Sequence, residues 1–109
     1  MIDQVHPRDL AQWLEAASAH GQPLLLDVRE PWEFELCAIA GARNIPMGSI
    51  PMRQQELEPD AEIVVICHHG ARSMQVAMFL ERAGFSNLTN LTGGVDLWAT
   101  QVDPAMARY

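Results

Sequence analysis

Residues 62–84 read EIVVICHHGARSMQVAMFLERAG, and the rest of the chain is interpreted around this stretch. It begins with an unbroken run of β-branched apolar residues at 63–66, which predicts a strand buried on both faces of a parallel sheet. Cys67 ends that strand, and a short loop containing Gly70 follows. Apolar residues at helical spacing come next, and Gly84 is suited to end a helix in the left-handed conformation. The stretch therefore predicts strand, loop and helix, with a thiol at the junction.

The flanking sequence repeats this alternation of short apolar runs and helical patterns. The further predicted strands are an edge strand at 4–5 and strands at 23–27, 43–45 and 87–91. The further predicted helices are one from Pro7 that Gly21 ends, a short one at 31–36 and one opened by Gly93 and Gly94. Residues 46–59 are expected to form a loop with one helical turn, and the tail from Asp103 is expected to be extended. Strands that alternate with helices predict an α/β fold with a mostly parallel sheet.

Length and composition restrict the possible functions. At 109 residues the chain is expected to form one domain, residues 1–109, with a single core. The net charge of −7 argues against nucleic acid or an anionic membrane as a partner, and the complete lack of lysine excludes Schiff-base chemistry. No run approaches the roughly 20 apolar residues of a membrane span. No signal peptide is apparent and the two cysteines are thirty residues apart, so we expect a cytoplasmic protein with free thiols.

Cys67 and Asp27 each end a predicted parallel strand, and ligands bind beyond the carboxyl ends of such strands. We therefore expect both residues at the same rim of the sheet. A free cysteine is usually a small buried hydrophobe. Here Gly70 allows the loop to curl, so that the amides from His68 to Ser73 can converge on one point as an anion nest. Such a nest would stabilise a thiolate or a persulfide, and Cys67 is predicted to be the reactive residue.

Neighbouring residues have supporting roles in this interpretation. Arg72 is expected to anchor the loop by pairing with a carboxylate such as Asp27, or to face the anion directly. Arg29 lies two residues after Asp27 and is expected to form a structural salt link with it. His68 and His69 are expected to line the rim, where a protonated ring would attract an anion.

The sequence indicates no reactive role for the second thiol and no metal site. Cys37 is not followed by a glycine-bearing loop and an arginine, so we interpret it as structural. Trp32 is left open as either a surface residue or part of a pocket. No metal site is expected from Cys67, His68 and His69, because three consecutive ligands span an ion poorly and no further cluster completes them. No cofactor is expected.

Several segments together resemble single-domain rhodanese sulfurtransferases. The loop Cys67-His68-His69-Gly70-Ala71-Arg72 is similar to the family's C-x-x-G-x-R motif. The other segments are DVRE at 27–30, EF at 33–34, GARNIP at 41–46 and GGVDLW at 93–98, the last similar to a closing G-G-x-x-x-W. They occur in the family's order and span most of the chain. The family often has glycine, histidine and proline where this chain has Cys37, Ala38 and Ala40, which puts the local turn in doubt but not the loop.

The resemblance implies a five-stranded, mostly parallel sheet flanked by helices on both faces. It also implies that Cys67 takes a sulfane sulfur from a small anionic donor such as thiosulfate and passes it to cyanide or a thiol. In that case the loop from His68 to Ser73 would hold the persulfide, with Asp27 and Arg29 supporting it. A protein donor or acceptor is left open.

Two other functions compete with sulfur transfer. A cysteine phosphatase or arsenate reductase uses a similar nest, but such enzymes have five residues between cysteine and arginine, and this chain has four. A non-catalytic rhodanese-like module would use the fold to bind a partner, although the presence of both Cys67 and Arg72 argues against it.

Overall fold

The computed structural model describes residues 1–17 and 21–109. A five-stranded parallel sheet with the order β1-β5-β4-β2-β3 forms its centre. The strands are β1 (Ile2–Val5), β2 (Leu24–Asp27), β3 (Arg43–Asn44), β4 (Ile63–Ile66) and β5 (Leu88–Leu91). The helices are α1 (Pro7–Ala16), α2 (Pro31–Leu36), α3 (Ile50–Arg53), α4 (Ala71–Arg82) and α5 (Gly94–Gln101). The predicted α/β fold with a parallel sheet is confirmed.

The central strand β4 is buried at all four positions, as its continuous apolar sequence predicts. Its side chains alternate between two hydrophobic clusters, one on each face of the sheet. Val65 packs with Val76 and Leu80 of α4 on one face. Val64 on the other face belongs to the cluster that contains Leu10 of α1. Helices therefore cover both faces of the sheet, as expected.

The register of the sheet brings the ends of β2 and β4 side by side. Asp27 pairs with Ile66, the last residue of β4, so Asp27 and Cys67 lie at the same rim. The backbone N–H of Val28 donates to Ile66 O at 2.9 Å and continues the pairing by one residue. This rim carries the candidate active site.

Two details of the predicted elements are wrong. Helix α1 ends at Ala16 with Ala17 as its C-cap, so Gly21 does not terminate it; residues 18–20 lie outside the described part of the chain. Residues 46–59 contain more helix than expected, because two 3₁₀ turns, Met47–Ser49 and Gln54–Glu56, flank α3. Pro51 is compatible with this arrangement, since it lies in the first turn of α3, where proline is tolerated.

The chain after α5 returns to the carboxyl-end rim of the sheet. Arg108 donates two hydrogen bonds to Asp96 Oδ1 at 3.1 and 3.2 Å, and Tyr109 contacts residues of the rim. Across residues 1–17 and 21–109, none of the helices has the length and apolar character needed to cross a bilayer.

Candidate active site

Cys67 lies at the start of the loop that joins β4 to α4, which we call the cysteine loop (Cys67 to Arg72). Its side chain is enclosed, with 1% of the residue exposed. The Gly70 N–H donates to Cys67 Sγ at 3.0 Å, and the thiol donates to Ser73 Oγ at 3.3 Å. The sulfur therefore has polar partners although the residue is buried. In this conformation the sulfur is almost closed to solvent.

Ser73 and Asn90 hold the cysteine loop from the sheet side. Both residues are buried, at 0% and 5% exposure. The Ser73 hydroxyl lies within hydrogen-bond distance of Gly70 O and Asn90 Oδ1. The Asn90 amide in turn donates to Gln4 Oε1 at 3.1 Å, which links the loop to strand β1.

Helix α5 occupies two carbonyl groups of the cysteine loop. Val95 N–H donates to Cys67 O at 2.9 Å, and Asp96 N–H donates to His68 O at 3.1 Å. This close approach requires Gly94, because a Cβ there would lie 2.3 Å from Cys67 O and the residue has φ of +58°. The GG pair of the closing motif therefore allows α5 to dock on the loop.

The docking of α5 also orients the amides of the cysteine loop. The C=O of one residue and the N–H of the next point in opposite directions across a trans peptide. With the carbonyls of Cys67 and His68 turned toward α5, the amides of His68 and His69 face away from α5. Apart from Gly70, no backbone amide from His68 to Ser73 donates to an acceptor within residues 1–17 and 21–109. These donors are free to bind an anion.

Arg72 pairs with a carboxylate, as expected, but the partner is Glu33 and not Asp27. Arg72 Nη1 donates to Glu33 Oε2 and Nη2 to Oε1, both at 2.8 Å. Glu33 is 4% exposed and also accepts from the backbone N–H of Glu30 at 2.8 Å. This bidentate geometry anchors the carboxyl end of the cysteine loop on helix α2. The guanidinium is thus used to position the loop.

Asp27 pairs with Arg29 instead, and both residues are fully buried. Arg29 Nη2 donates to Asp27 Oδ2 at 2.7 Å, and Nε contacts both carboxylate oxygens. The remaining Arg29 donors bind Glu33 O, Cys37 O and the Tyr109 hydroxyl. The two buried charges therefore compensate each other, and the pair lies beneath helix α2 and supports it.

The electrostatics of the rim follow from these pairs. The hydrogen bonds from Arg72 lower the pKa of Glu33 to about 2, although burial opposes this shift. The same pairing raises the pKa of Arg72 above its usual value. Arg29 and Arg72 each have a carboxylate partner, so they add little net positive charge that could attract an anion. Unpaired backbone amides are then the main groups available to an anionic substrate.

His68 does not supply the positive charge that was considered for it. Burial and the neighbouring His69 lower the pKa of His68, so the ring is neutral at pH 7. Its ring is stacked on Tyr109, with centroids 3.9 Å apart and planes 7° apart. On the other side it lies 3.9 Å from the His69 ring. His68 Nε2 is buried without a hydrogen-bond partner in the described part of the chain.

Asp96 lies beside the two histidines and is a possible third ligand that the sequence did not indicate. Ligand atoms of His68, His69 and Asp96 lie within 4.8 Å of one another. However, the two rings lie close together, with centroids 3.9 Å apart and planes tilted by 30°. Asp96 Oδ1 is already occupied by Arg108. This donor set fits a metal ion poorly.

Sequence analysis missed the contributions of Glu33 and Tyr109. Glu33 was quoted as part of a motif but was given no role, although Glu30 and Glu33 have the spacing of a capping box at the start of α2. Tyr109 gave no signal, because the tail has no regular pattern. Its hydroxyl donates to Glu33 Oε1 at 2.8 Å and accepts from Arg29 Nη1 at 2.9 Å. Trp32 is exposed and contacts the Tyr109 ring edge-on.

Cys37 lies at the C-cap of α2. It is far from the cysteine loop in sequence, but it contacts Arg29, which supports α2. It is partly buried, and its Sγ lies 3.8 Å from Arg29 Nη1. Its carbonyl accepts from Arg29 Nη2 at 2.6 Å. These contacts agree with a structural role.

Fold and site together define a class of protein: an α/β domain whose central strand ends in a cysteine enclosed by a glycine-bearing loop. Comparison with known proteins identifies the family. The family model described as Rhodanese-like domain matches residues 10–101, and the chain belongs to this family. A protein of Allochromatium vinosum named sulfurtransferase is 34% identical over 107 residues, which is 98% of this chain and 97% of that protein.

Solved structures agree with this result. The crystal structure of a rhodanese-related protein from Thermoplasma volcanium has a TM-score of 0.80 and 32% identity, and the match covers 92% of this chain and 93% of that chain. Other relatives are longer. The chain spans only 30% of the Rhodanese-like/PpiC domain-containing protein 12 of Arabidopsis thaliana, to which it is 37% identical over 89 residues.

Proposed function

We propose that this protein is a sulfurtransferase that carries sulfur as a persulfide on Cys67. The observation that carries the proposal is the hydrogen bond from Gly70 N–H to Cys67 Sγ, in a loop whose neighbouring amides are unpaired. These donors favour a negatively charged sulfur. The relatives named sulfurtransferase support the same class of reaction.

In the first half-reaction the Cys67 thiolate attacks the sulfane sulfur of an anionic donor such as thiosulfate. A new S–S bond forms at Cys67, and the old S–S bond breaks with its electron pair leaving on sulfite. In the second half-reaction cyanide or a thiolate attacks the terminal sulfur. Thiocyanate or a persulfide leaves, and the electron pair of the broken bond returns to Cys67. Ser73, which can rotate its hydroxyl, would donate to the sulfur whenever it is negative.

Other residues of the rim would act by positioning. Glu33 holds Arg72 and thereby the carboxyl end of the cysteine loop. Asp27 and Arg29 support helix α2 from below. Because the Arg72 guanidinium is bound by Glu33 on both of its terminal nitrogens, it is poorly placed to grip a phosphate ester, which disfavours the phosphatase alternative.

Mass spectrometry of the intact protein tests the proposal. After treatment with thiosulfate and removal of excess donor, we expect one added sulfur, mapped to Cys67 by peptide analysis. Cyanide should remove it and release thiocyanate. The matched variants are Cys67→Ser, which should take up none, and Cys37→Ser, which should behave as the wild type. If no sulfur is taken up from thiosulfate or from a small persulfide donor, the protein is a non-catalytic binding module.

A further inference from the structure

Tyr109 makes contacts that link the tail of the chain to three parts of the candidate active site. Its hydroxyl bonds to Glu33 and to Arg29, and its ring is stacked on His68, the residue after Cys67. Trp32 closes the remaining edge of the ring.

Cys67 is only 1% exposed, so a donor or acceptor cannot reach its sulfur in the described conformation. Some neighbouring group has to move. The main chain of the cysteine loop is fixed by α5 through hydrogen bonds to Cys67 O and His68 O, and Arg72 is fixed by Glu33. Moving either of them would break buried or bidentate contacts.

The tail can move at a lower cost. Residues 107–109 belong to no helix or strand, and Tyr109 itself is 37% exposed. Its displacement would break two side-chain hydrogen bonds, the stack on His68 and the edge-on contact with Trp32, but no hydrogen bond of a sheet or helix. Arg108 can stay bonded to Asp96, so displacement of Tyr109 leaves the segment before it attached.

We propose that Tyr109 is a specificity-determining residue that covers the mouth of the candidate site beside His68 and restricts the size of the sulfur acceptor. Small acceptors such as cyanide reach the Cys67 persulfide after slight displacement of the ring. A larger thiol, such as glutathione, requires the tail to swing away. The inference rests on the sulfurtransferase function proposed above.

The phenol is suited to this closing role. Burial raises the pKa of Tyr109 to about 12, so the hydroxyl remains protonated near neutral pH and always has a proton to donate to Glu33. The neutral His68 ring stacks on it without charge repulsion from Arg29 or Arg72. The closed position is therefore expected across the physiological range of pH.

The steady-state test compares cyanide with glutathione as acceptor for the wild type, Tyr109→Phe and Tyr109→Ala. In Tyr109→Ala we expect the ratio of kcat/KM for glutathione to kcat/KM for cyanide to rise at least fivefold, mainly through a lower KM for glutathione. Tyr109→Phe keeps the ring but loses both hydrogen bonds, so it should be intermediate. An unchanged ratio of glutathione to cyanide in Tyr109→Ala would overturn the proposal.

A second measurement does not depend on sulfur transfer. Labelling of Cys67 by iodoacetamide and by the bulkier monobromobimane is followed by peptide mapping, which separates Cys67 from Cys37. In Tyr109→Ala the bimane rate at Cys67 should rise at least tenfold, and the iodoacetamide rate should change less. Phe79→Ala, which removes an exposed aromatic side chain on α4, is the control and should leave both rates unchanged.

The two measurements separate failure of this inference from failure of the proposed function. If the wild type transfers no sulfur to either acceptor but Tyr109→Ala accelerates bimane labelling, Tyr109 does restrict access to Cys67 and the proposed sulfurtransferase function is wrong. If sulfur transfer is observed and neither the acceptor ratio nor the labelling rate responds to Tyr109→Ala, the proposal that Tyr109 restricts access to Cys67 is wrong.

Discussion

Arg72 of helix α4 and Glu33 of helix α2 face each other through two hydrogen bonds of 2.8 Å, one to each carboxylate oxygen. The two residues are 39 positions apart in the sequence. Their pairing ties the end of the cysteine loop to the helix that follows β2. It also uses both terminal nitrogens of the arginine, so recognition of an anion falls to backbone amides.

Replacing Glu33 by Gln should reduce sulfur transfer at least tenfold, because the neutral amide cannot accept both hydrogen bonds from Arg72 and the loop loses its anchor. The rate of thiocyanate formation from thiosulfate and cyanide measures this effect. Glu35→Gln is the matched control, since Glu35 lies exposed on the same helix and, in the described part of the chain, forms no hydrogen bond or ion pair with Arg72. Equal loss in both variants would show that the pairing with Arg72 is not the cause.

The Glu33 carboxylate should also make the free energy of unfolding depend on pH in the acid range. The pKa of Glu33 is about 2 in the folded protein and about 4.5 when unfolded, so its stabilising contribution is complete above pH 4.5 and is lost as the pH falls toward 2. The contribution is about 3 kcal/mol at most. Urea unfolding at pH 6, 4.5 and 3 should show this decrease in the wild type.

Glu33→Gln provides the comparison for the acid effect, because glutamine does not titrate. Its free energy of unfolding should be lower than that of the wild type at pH 6, and the difference should shrink toward pH 3. A constant difference across this range would mean that the Glu33 carboxylate does not keep its low pKa.

Asp27→Ala should destabilise the fold by about 3 to 5 kcal/mol, since it leaves the fully buried Arg29 charge without a partner. Chemical denaturation measures the loss. Glu56→Ala is the control, because Glu56 pairs with Arg43 and Arg53 at the exposed surface, where ion pairs contribute little, and its removal should cost far less. Similar values for the two variants would argue that Arg29 finds other compensation.

Gly94→Ala should both destabilise the protein and impair sulfur transfer. The new Cβ would lie 2.3 Å from Cys67 O and 2.5 Å from His68 O, and φ of +58° disfavours alanine. We expect a loss of more than about 2 kcal/mol, or a displaced cysteine loop with reduced sulfur uptake at Cys67. Gly48→Ala serves as control, because a Cβ there has no heavy atom within 4 Å. A Gly94→Ala variant with wild-type stability and uptake would contradict the docking of α5 on the loop.

The local pattern of the chain was sufficient to predict most of the architecture. The continuous apolar run of β4 and the helical spacing after it depend on short-range periodicity, and their bounds agree with the structure. The position of Asp27 and Cys67 at one rim follows from the rule that parallel strands end at the same edge. Where the signal was weaker, at residues 46–59, the prediction missed short helical turns.

By itself, the sequence determined the α/β class, the resemblance to the rhodanese family and Cys67 as the candidate nucleophile, because each depends on residues close together in the chain. Only the tertiary structure decided which carboxylate binds which arginine. The sequence suggested a carboxylate such as Asp27 for Arg72, and the packing of α2 beside the cysteine loop places Glu33 there instead. The role of Tyr109 likewise depends on where the tail returns, since contacts across 76 residues are set by packing and leave no local pattern.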